Sequence, residues 1–290
     1  MQITPARNSS GTAIVTLIVT DGGGLTAKTS LTVIVGSPPV GNPDDFNGDG
    51  KSDLVLEDDN GNVGVWFMKG ETLVTPSFLN PSRTDPKWRI VGNGDFNGDG
   101  KPDLLLQNTD GTLGVWYMNG INLIASTLLS PSHPGAGWSA VDTGDFNKDT
   151  HADILFQHTD GMILVWYMNG VTLITPDLTL PRPGAGWSAV AVADINGDHW
   201  LDVVLQHTDG SLLVWQLIGV ALDSPRSLGN SGAWRVVGST DLNGDGSADL
   251  LFRNSSDGSL GVWYLNGGTL IQGKALIPAF PGGSWKIVAP

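Results

Sequence analysis

A nine-residue acidic pattern recurs five times along this chain and constrains its fold more than any other feature. Each copy has Asp at position 1, Asn at position 3, Asp at position 5 and Asp at position 9. The first copy is Asp45, Asn47, Asp49 and Asp53, and the second is Asp95, Asn97, Asp99 and Asp103. The third is Asp145, Asn147, Asp149 and Asp153. The fourth is Asp194, Asn196, Asp198 and Asp202, and the fifth is Asp241, Asn243, Asp245 and Asp249. Oxygen side chains at alternate positions of a tight loop are the donors that a hard cation such as calcium takes. The backbone carbonyl at position 7 can join them, from Lys51, Lys101, His151, Trp200 and Ser247. Position 12 is Leu56, Leu106, Phe156, Leu205 or Phe252 rather than Glu, and the flanks read as strands, so these are not EF-hands. Asp, Asn and Gly also make good turns, but turning alone does not call for four aligned oxygen donors in every copy.

The first ligands are separated by 50, 50, 49 and 47 residues, the period of a repeat architecture. Two tryptophan series keep the same frame: Trp66, Trp116, Trp166, Trp215 and Trp263, and Trp88, Trp138, Trp187, Trp234 and Trp285. Only Trp200 falls outside both. One unit, taken in detail, predicts strands over 88–96, 103–108, 113–118 and 121–129, with the cation loop at 95–103. Thr109-Asp110-Gly111 and Asn119-Gly120 turn the chain between them. No segment of the unit has helical periodicity. Four antiparallel strands in such a repeat describe the blade of a β-propeller. The expectation is therefore an all-β fold, with five four-stranded blades over 45–290. The first unit lacks a Trp-led strand before Asp45, and Trp285-Lys286-Ile287-Val288 can supply it, closing the ring with the C-terminal strand. Closure removes an exposed sheet edge. The alternative is part of a larger ring of six to eight blades.

Residues 1–36 differ from the repeats. Two runs rich in Val, Ile and Thr, 13–20 and 25–35, flank Asp21-Gly22-Gly23-Gly24 and read as a hairpin. The segment resembles the last two strands of a bacterial immunoglobulin-like domain. Residues 37–44 read as a linker, with Ser37-Pro38-Pro39 and Asn42-Pro43. The start has neither a basic nor an apolar leader region, so the chain reads as a piece of a longer exported protein.

Formal net charge is −14, with 15 Lys and Arg against 29 Asp and Glu, which argues against a nucleic-acid partner. The five loops supply fifteen of those carboxylates, and five divalent ions would bring the charge from −14 to −4. The chain has no cysteine, which excludes disulfides and thiolate metal sites. No stretch is apolar enough for a helical membrane span, so membrane insertion is not expected. Calcium at the affinity of extracellular modules suggests an extracellular or cell-surface protein of bacterial type.

The stretches at 45–54, 94–104 and 241–250, such as Gly-Asp-Phe-Asn-Gly-Asp-Gly-Lys-Pro-Asp-Leu, resemble the FG-GAP/VCBS repeat family. That resemblance implies a calcium-binding propeller, a fold found in integrin α-subunit heads, in lectins and in bacterial surface proteins. Function varies widely across such a family, so the fold alone says little about the target.

The loops are not equivalent. Position 6 calls for a left-handed backbone, which Gly50, Gly100 and Gly246 adopt freely. Thr150 is β-branched and should be strained there, His199 is intermediate, and Lys148 adds a positive charge. Of up to five calcium ions, the one at 145–153 is expected to bind weakest. The Trp66 series reads as packing between blades. The Trp88 series follows short loops and lies nearer a rim, where indole faces suit stacking on sugar rings. Trp88, Trp138, Trp187, Trp234 and Trp285 are thus candidate ligand contacts, and Gln107, Gln157 and Gln206 candidate partners for sugar hydroxyls. His158 and His207 read as surface hairpin residues. No nucleophile, zinc or phosphate-loop motif is present, so a non-catalytic protein is expected. Two partner classes follow: glycans, or a surface protein bound by an adhesion module.

Overall fold

The computed structural model describes residues 11–20, 22–35 and 42–289. It divides into two compact units, Met1–Gly41 and Asn42–Pro290. In the first, β1 (Gly11–Thr20) and β2 (Thr26–Val35) pair antiparallel, from Gly11↔Val35 to Thr20↔Thr26. Asp21 and residues 37–41, which belong to the expected turn and linker, lie outside the described residues.

The second unit is all-β, and its strands follow one another as four-stranded antiparallel sheets. Sheet I holds β3 (Leu54–Glu57), β4 (Asn62–Lys69) and β5 (Thr72–Arg83). Sheet II is β6 (Trp88–Gly94), β7 (Asp103–Asn108), β8 (Leu113–Asn119) and β9 (Asn122–Leu128). Sheet III is β10 (Trp138–Gly144), β11 (Asp153–His158), β12 (Ile163–Asn169) and β13 (Thr172–Leu180). Sheet IV is β14 (Trp187–Ala193), β15 (Asp202–His207), β16 (Ser211–Ile218) and β17 (Ala221–Asn230). Sheet V is β18 (Trp234–Thr240), β19 (Asp249–Asn254), β20 (Leu260–Asn266) and β21 (Thr269–Ala275). The last strand, β22 (Lys286–Ala289), pairs with β3 and gives sheet I its fourth strand. A parallel pairing, Asn80↔Asn122, joins sheets I and II at their outer edges.

The second strands explain the packing. Runs such as Leu104-Leu105-Leu106 are buried on both faces, so alternate side chains must enter different cores. Leu104 and Leu106 join Val55, Val63 and Val65 of sheet I, whereas Leu105 joins Ile154 and Phe156 of sheet III. The same alternation places Leu155 with Val203 and Leu205, Val204 with Leu250 and Phe252, and Leu251 with Leu54 and Leu56. Five apolar cores result, one between each pair of neighbouring sheets, and the last returns to sheet I. Each fully buried Leu contributes roughly 1.5–3 kcal/mol.

The first strands form the same cycle. β6 lies against β10, β10 against β14, β14 against β18, β18 against β22 and β22 against β6. Each carries one bulge, at Val91, Val141, Val190, Val237 and Val288. Bulges increase local twist and bend the strand. Where these strands meet, polar groups are hydrogen-bonded in a circuit. Asn93 Nδ2 donates to Asp44 Oδ1 (2.8 Å), and Thr143 Oγ1 donates to the Asn93 carbonyl. Val192 N donates to Asp142 Oδ2 (2.8 Å), Ser239 Oγ to the Val192 carbonyl (3.1 Å), and Thr240 Oγ1 back to Asp44 Oδ2. Burial pushes the Asp44 carboxyl up to about 6, and that of Asp142 to about 7.

Candidate cation loops and aromatic rim

Four of the acidic loops join the first strand of a sheet to the second, and the loop at 45–53 leads into β3. The apolar residue at position 2 anchors each: Phe46, Phe96, Phe146, Ile195 and Leu242 are all buried. The position-1 carboxylate then gathers the loop backbone. Asp45 accepts from Gly48 N (2.7 Å), Asp49 N (3.1 Å) and Gly50 N (2.7 Å), and Asp95 does the same.

Positions 3 and 5 fold the loop onto itself in every copy. Asn47 Oδ1 accepts from Asp49 N (2.8 Å), and Asp49 Oδ1 from Lys51 N (2.9 Å). Asn97 accepts from Asp99 N (2.8 Å), and Asp99 from Lys101 N (3.0 Å). In the third loop Asn147 accepts from Asp149 N (2.8 Å), and Asp149 from His151 N (2.9 Å). In the fourth, Asn196 accepts from Asp198 N (2.8 Å), and Asp198 from Trp200 N (2.7 Å). In the fifth, Asn243 accepts from Asp245 N (2.7 Å), and Asp245 from Ser247 N (2.9 Å). The position-5 carboxylates Asp49, Asp99, Asp149, Asp198 and Asp245 are all exposed.

Position 9 is different. Asp53, Asp103, Asp153, Asp202 and Asp249 are fully buried, and each ties its own loop to the third strand of its sheet. In Asp103, Oδ2 accepts from Phe96 N (3.0 Å) and Oδ1 from Met118 N (2.8 Å). Burial, and then the charges of Asp49 and Asp45, push Asp53 up to about 7, and the other four copies behave alike at about 6 to 7. Positions 1, 5 and 9 thus feel one another's charge. The donor chemistry fits a hard cation: two carboxylates on the open side, an amide oxygen, a carbonyl and a buried carboxylate.

The oxygens at positions 3 and 5 are engaged within their own loops. Among the described residues no three acidic or histidine side chains form a tight metal cluster. Each loop satisfies its own N–H groups with these oxygens. Asn97 and Asp99, Asn147 and Asp149, Asn196 and Asp198, and Asn243 and Asp245 all spend one oxygen on the backbone two residues ahead. A cation in these loops would use the remaining lone pairs of oxygens already held in place.

Position 6 is left-handed in every loop, with φ of 81°, 81°, 74°, 68° and 87° at Gly50, Gly100, Thr150, His199 and Gly246. Position 4 is left-handed too, which sequence reading missed: Gly48, Gly98, Gly197 and Gly244 are joined there by Lys148 at φ 64°. The third loop therefore holds two non-glycine residues in that region. Lys148 does not turn its ammonium into its own loop; Nζ stands 3.6 Å from the centre of the Trp200 ring, which gives that out-of-frame tryptophan a place.

The Trp88 series lies at the start of each first strand, except that Trp285 precedes β22, and all five indoles are half-buried. Trp138 and Trp187 tilt against His158 and His207, with ring centroids 4.9 and 5.1 Å apart. These histidines also bond Asp160 and Asp209 through Nδ1, at 2.8 and 2.9 Å, so they support the tryptophans rather than merely occupying hairpins. In the other series, Trp66, Trp166 and Trp215 are buried in the inter-sheet cores, while Trp116 and Trp263 pack at their margins.

The glutamines are not free for hydroxyls. Gln107 accepts from Ala140 N (3.0 Å) and donates to the Trp138 carbonyl (3.3 Å), stitching sheet II to sheet III. Gln157 and Gln206 do the same to the next sheets. Glu57 and Arg253, which break the sequence pattern, keep the role: Glu57 accepts from Thr84 Oγ1 and Ile90 N, and Arg253 donates to the Trp285 carbonyl. Recurrence at one register of the second strand was the signal, and its meaning is inter-sheet stitching.

Among the described residues, one cluster adds an arginine to the repeated His–Asp pair. His158, Asp160, Arg182 and Trp187 line a cleft of about 850 Å³ between sheets III and IV, where Arg182 donates to the Asp160 carboxylate at 3.0 Å.

Residues 95–156 and 152–205 match the family described as FG-GAP-like repeat. A comparison with curated proteins returns no match. Among solved structures, AofleA from Arthrobotrys oligospora is 14% identical, over 97% of this chain and 88% of that one, with a TM-score of 0.46. A triple arginine-to-alanine mutant of AofleA gives 14%, 97%, 89% and 0.45. Raptor from Chaetomium thermophilum is 12% identical, over 64% of this chain and 16% of that one, with a TM-score of 0.39.

Proposed function

We propose, from the premise that this chain is a member of the FG-GAP-like repeat family, that Asn42–Pro290 is a closed five-bladed propeller that binds glycans in a calcium-dependent manner. In this reading it is a non-catalytic module of an extracellular or cell-surface protein. The cycle of first strands and of inter-sheet cores supports the ring. The oxygen-rich, mutually repelling loops support up to five calcium ions, whose binding to the folded state would stabilise it by mass action. The observation that carries the glycan reading is the set of half-buried indoles at equivalent positions: each is partly held by the protein and partly open to a ligand. The reading needs no membrane helix, and among the described residues no helix is long and apolar enough to be one.

A second reading, a protein-binding adhesion module, is favoured by the His158–Asp160–Arg182 cleft, because a unique charged cluster suits one partner better than a repeated one does. Affinity electrophoresis through gels containing neutral polysaccharides separates the two. Calcium-dependent retardation is expected; free migration in every gel by folded, calcium-loaded protein would leave the adhesion reading.

A further inference from the structure

The five sheets fall into two classes at one position. The third-strand residue two before the core tryptophan is Gly64, Gly114 and Gly261 in sheets I, II and V, but Leu164 and Leu213 in sheets III and IV. The residue paired across on the fourth strand changes with it. Gly64, Gly114 and Gly261 face Phe78, Leu128 and Ala275, whereas Leu164 and Leu213 face Thr179 and Ser227. The apolar side chain sits on the third strand in one class and on the exposed fourth strand in the other: Leu164 is 3% exposed and Leu213 half-buried, whereas Phe78 is 60% and Leu128 53% exposed.

The exchange opens space. In sheets I, II and V a groove lies between the rim tryptophan, the glycine and the core tryptophan: Trp285/Gly64/Trp66, Trp88/Gly114/Trp116 and Trp234/Gly261/Trp263. Their volumes are about 630, 370 and 300 Å³, the range of small-ligand sites. In sheets III and IV the leucine packs in one cluster with both tryptophans. A methyl group on Gly261 would stand 3.3 Å from the Trp234 ring, and one on Gly114 3.5 Å from the Trp88 ring.

We infer that the three glycine-floored grooves each take one pyranose ring of a neutral glycan, and that sheets III and IV carry no such site. The inference rests on the glycan reading above and narrows it from five sites to three. Two indoles supply faces for the C–H surface of a sugar. The hydroxyl-bearing Ser77 lines the groove of sheet I, and Ser126 and Thr127 line that of sheet II. No charge is common to the set: Asp85 lines one groove, Lys274 another, and the third has no charged lining residue, so the shared ligand is uncharged. Sheets V, I and II are consecutive in the cycle, an arrangement that lets one polymer or a branched glycan engage several grooves and gain avidity.

The test is an NMR titration of calcium-loaded protein, ¹⁵N-labelled at tryptophan, with cellohexaose, mannohexaose, xylohexaose and chitohexaose. Indole signals of Trp88, Trp234 and Trp285 should shift, while those of Trp138 and Trp187 stay in place. The G64L/G114L/G261L variant should lose at least tenfold in affinity, and G114L alone should silence only Trp88. The wild-type titration decides the matter even where a variant fails to fold. Sugar binding that shifts Trp138 and Trp187 equally, or that survives in the folded triple variant, overturns this inference and leaves the glycan reading standing. Silence towards every sugar removes both, and groove shifts caused only by an aromatic peptide would make these sites protein contacts.

Discussion

Thr150 offers a direct test of how the acidic loops are built. Its backbone sits at φ 74°, and its N–H donates to Asp145 Oδ2 at 2.8 Å, as the position-6 glycines do to their own position-1 carboxylates. A left-handed backbone costs an L-residue roughly 1–2 kcal/mol, and a β-branched side chain stands at the upper end. Thr150→Gly should release that strain while increasing the entropy of the unfolded chain by about 0.5–1 kcal/mol. The net gain is about 1–1.5 kcal/mol, and Lys148→Gly, at φ 64°, should add less, because lysine is not β-branched and loses its cation–π contact with Trp200. Gly100→Thr is the reciprocal change: φ is 81° and nothing stands within 4 Å of the added Cβ, so any loss comes from the backbone alone. Urea unfolding at fixed calcium reads all three. Stabilisation by Thr150→Gly and destabilisation by Gly100→Thr are expected. If Gly100→Thr proves neutral, the loop relaxes out of the left-handed region and the ranking of the five loops loses its physical basis.

Calcium titration by calorimetry should show the 145–153 loop weakest, with Thr150→Gly narrowing its gap from the others. Chelation should lower thermal stability, since each site held at about 100 times its dissociation constant contributes about 2.7 kcal/mol; an unchanged melting temperature in EDTA would rule out calcium as a stabiliser. Gln157→Leu should cost about 1–3 kcal/mol, because the N–H of Ala189 loses its acceptor, yet leave any glycan affinity unaltered. Asp142 gives a pH dependence. Burial holds its folded-state carboxyl near 7, above the ordinary 3.8, so its contribution is complete below about pH 4 and is lost as pH rises through about 7. Stability of Asp142→Asn should therefore fall less steeply than wild type between about pH 4 and 7, and identical slopes would refute the assignment.

The strand frame was legible because its signals are local. Leu104-Leu105-Leu106 between an acidic loop and Asp110-Gly111 marks a doubly buried strand, and β7 begins and ends where the sequence predicts. Trp285-Lys286-Ile287-Val288 matches the missing strand of the first unit, and β22 does pair with β3. The acidic columns were legible for the same reason, but their first use is not. Asn97, Asp99, Asn147, Asp149, Asn196, Asp198 and Asp245 read as free donors in sequence, whereas the loop backbone already engages them. What escaped otherwise was non-local. Gln107 and Glu57 differ in chemistry and share a role only because the next sheet presents the same backbone groups to both. The circuit through Asp44, Asn93, Asp142 and Ser239 joins residues 47 to 50 positions apart and closes from Thr240 to Asp44 over 196, and nothing in their immediate neighbours announces it. The left-handed position 4 was hidden by Lys148, which interrupts an otherwise all-glycine column.

A glycan array probed in calcium buffer, with an EDTA-treated duplicate, tests the central claim most directly. Binding to a defined class of neutral sugars, lost in EDTA, is the result predicted by a calcium-held ring with an aromatic rim. A folded, calcium-loaded sample that binds nothing on the array would contradict it.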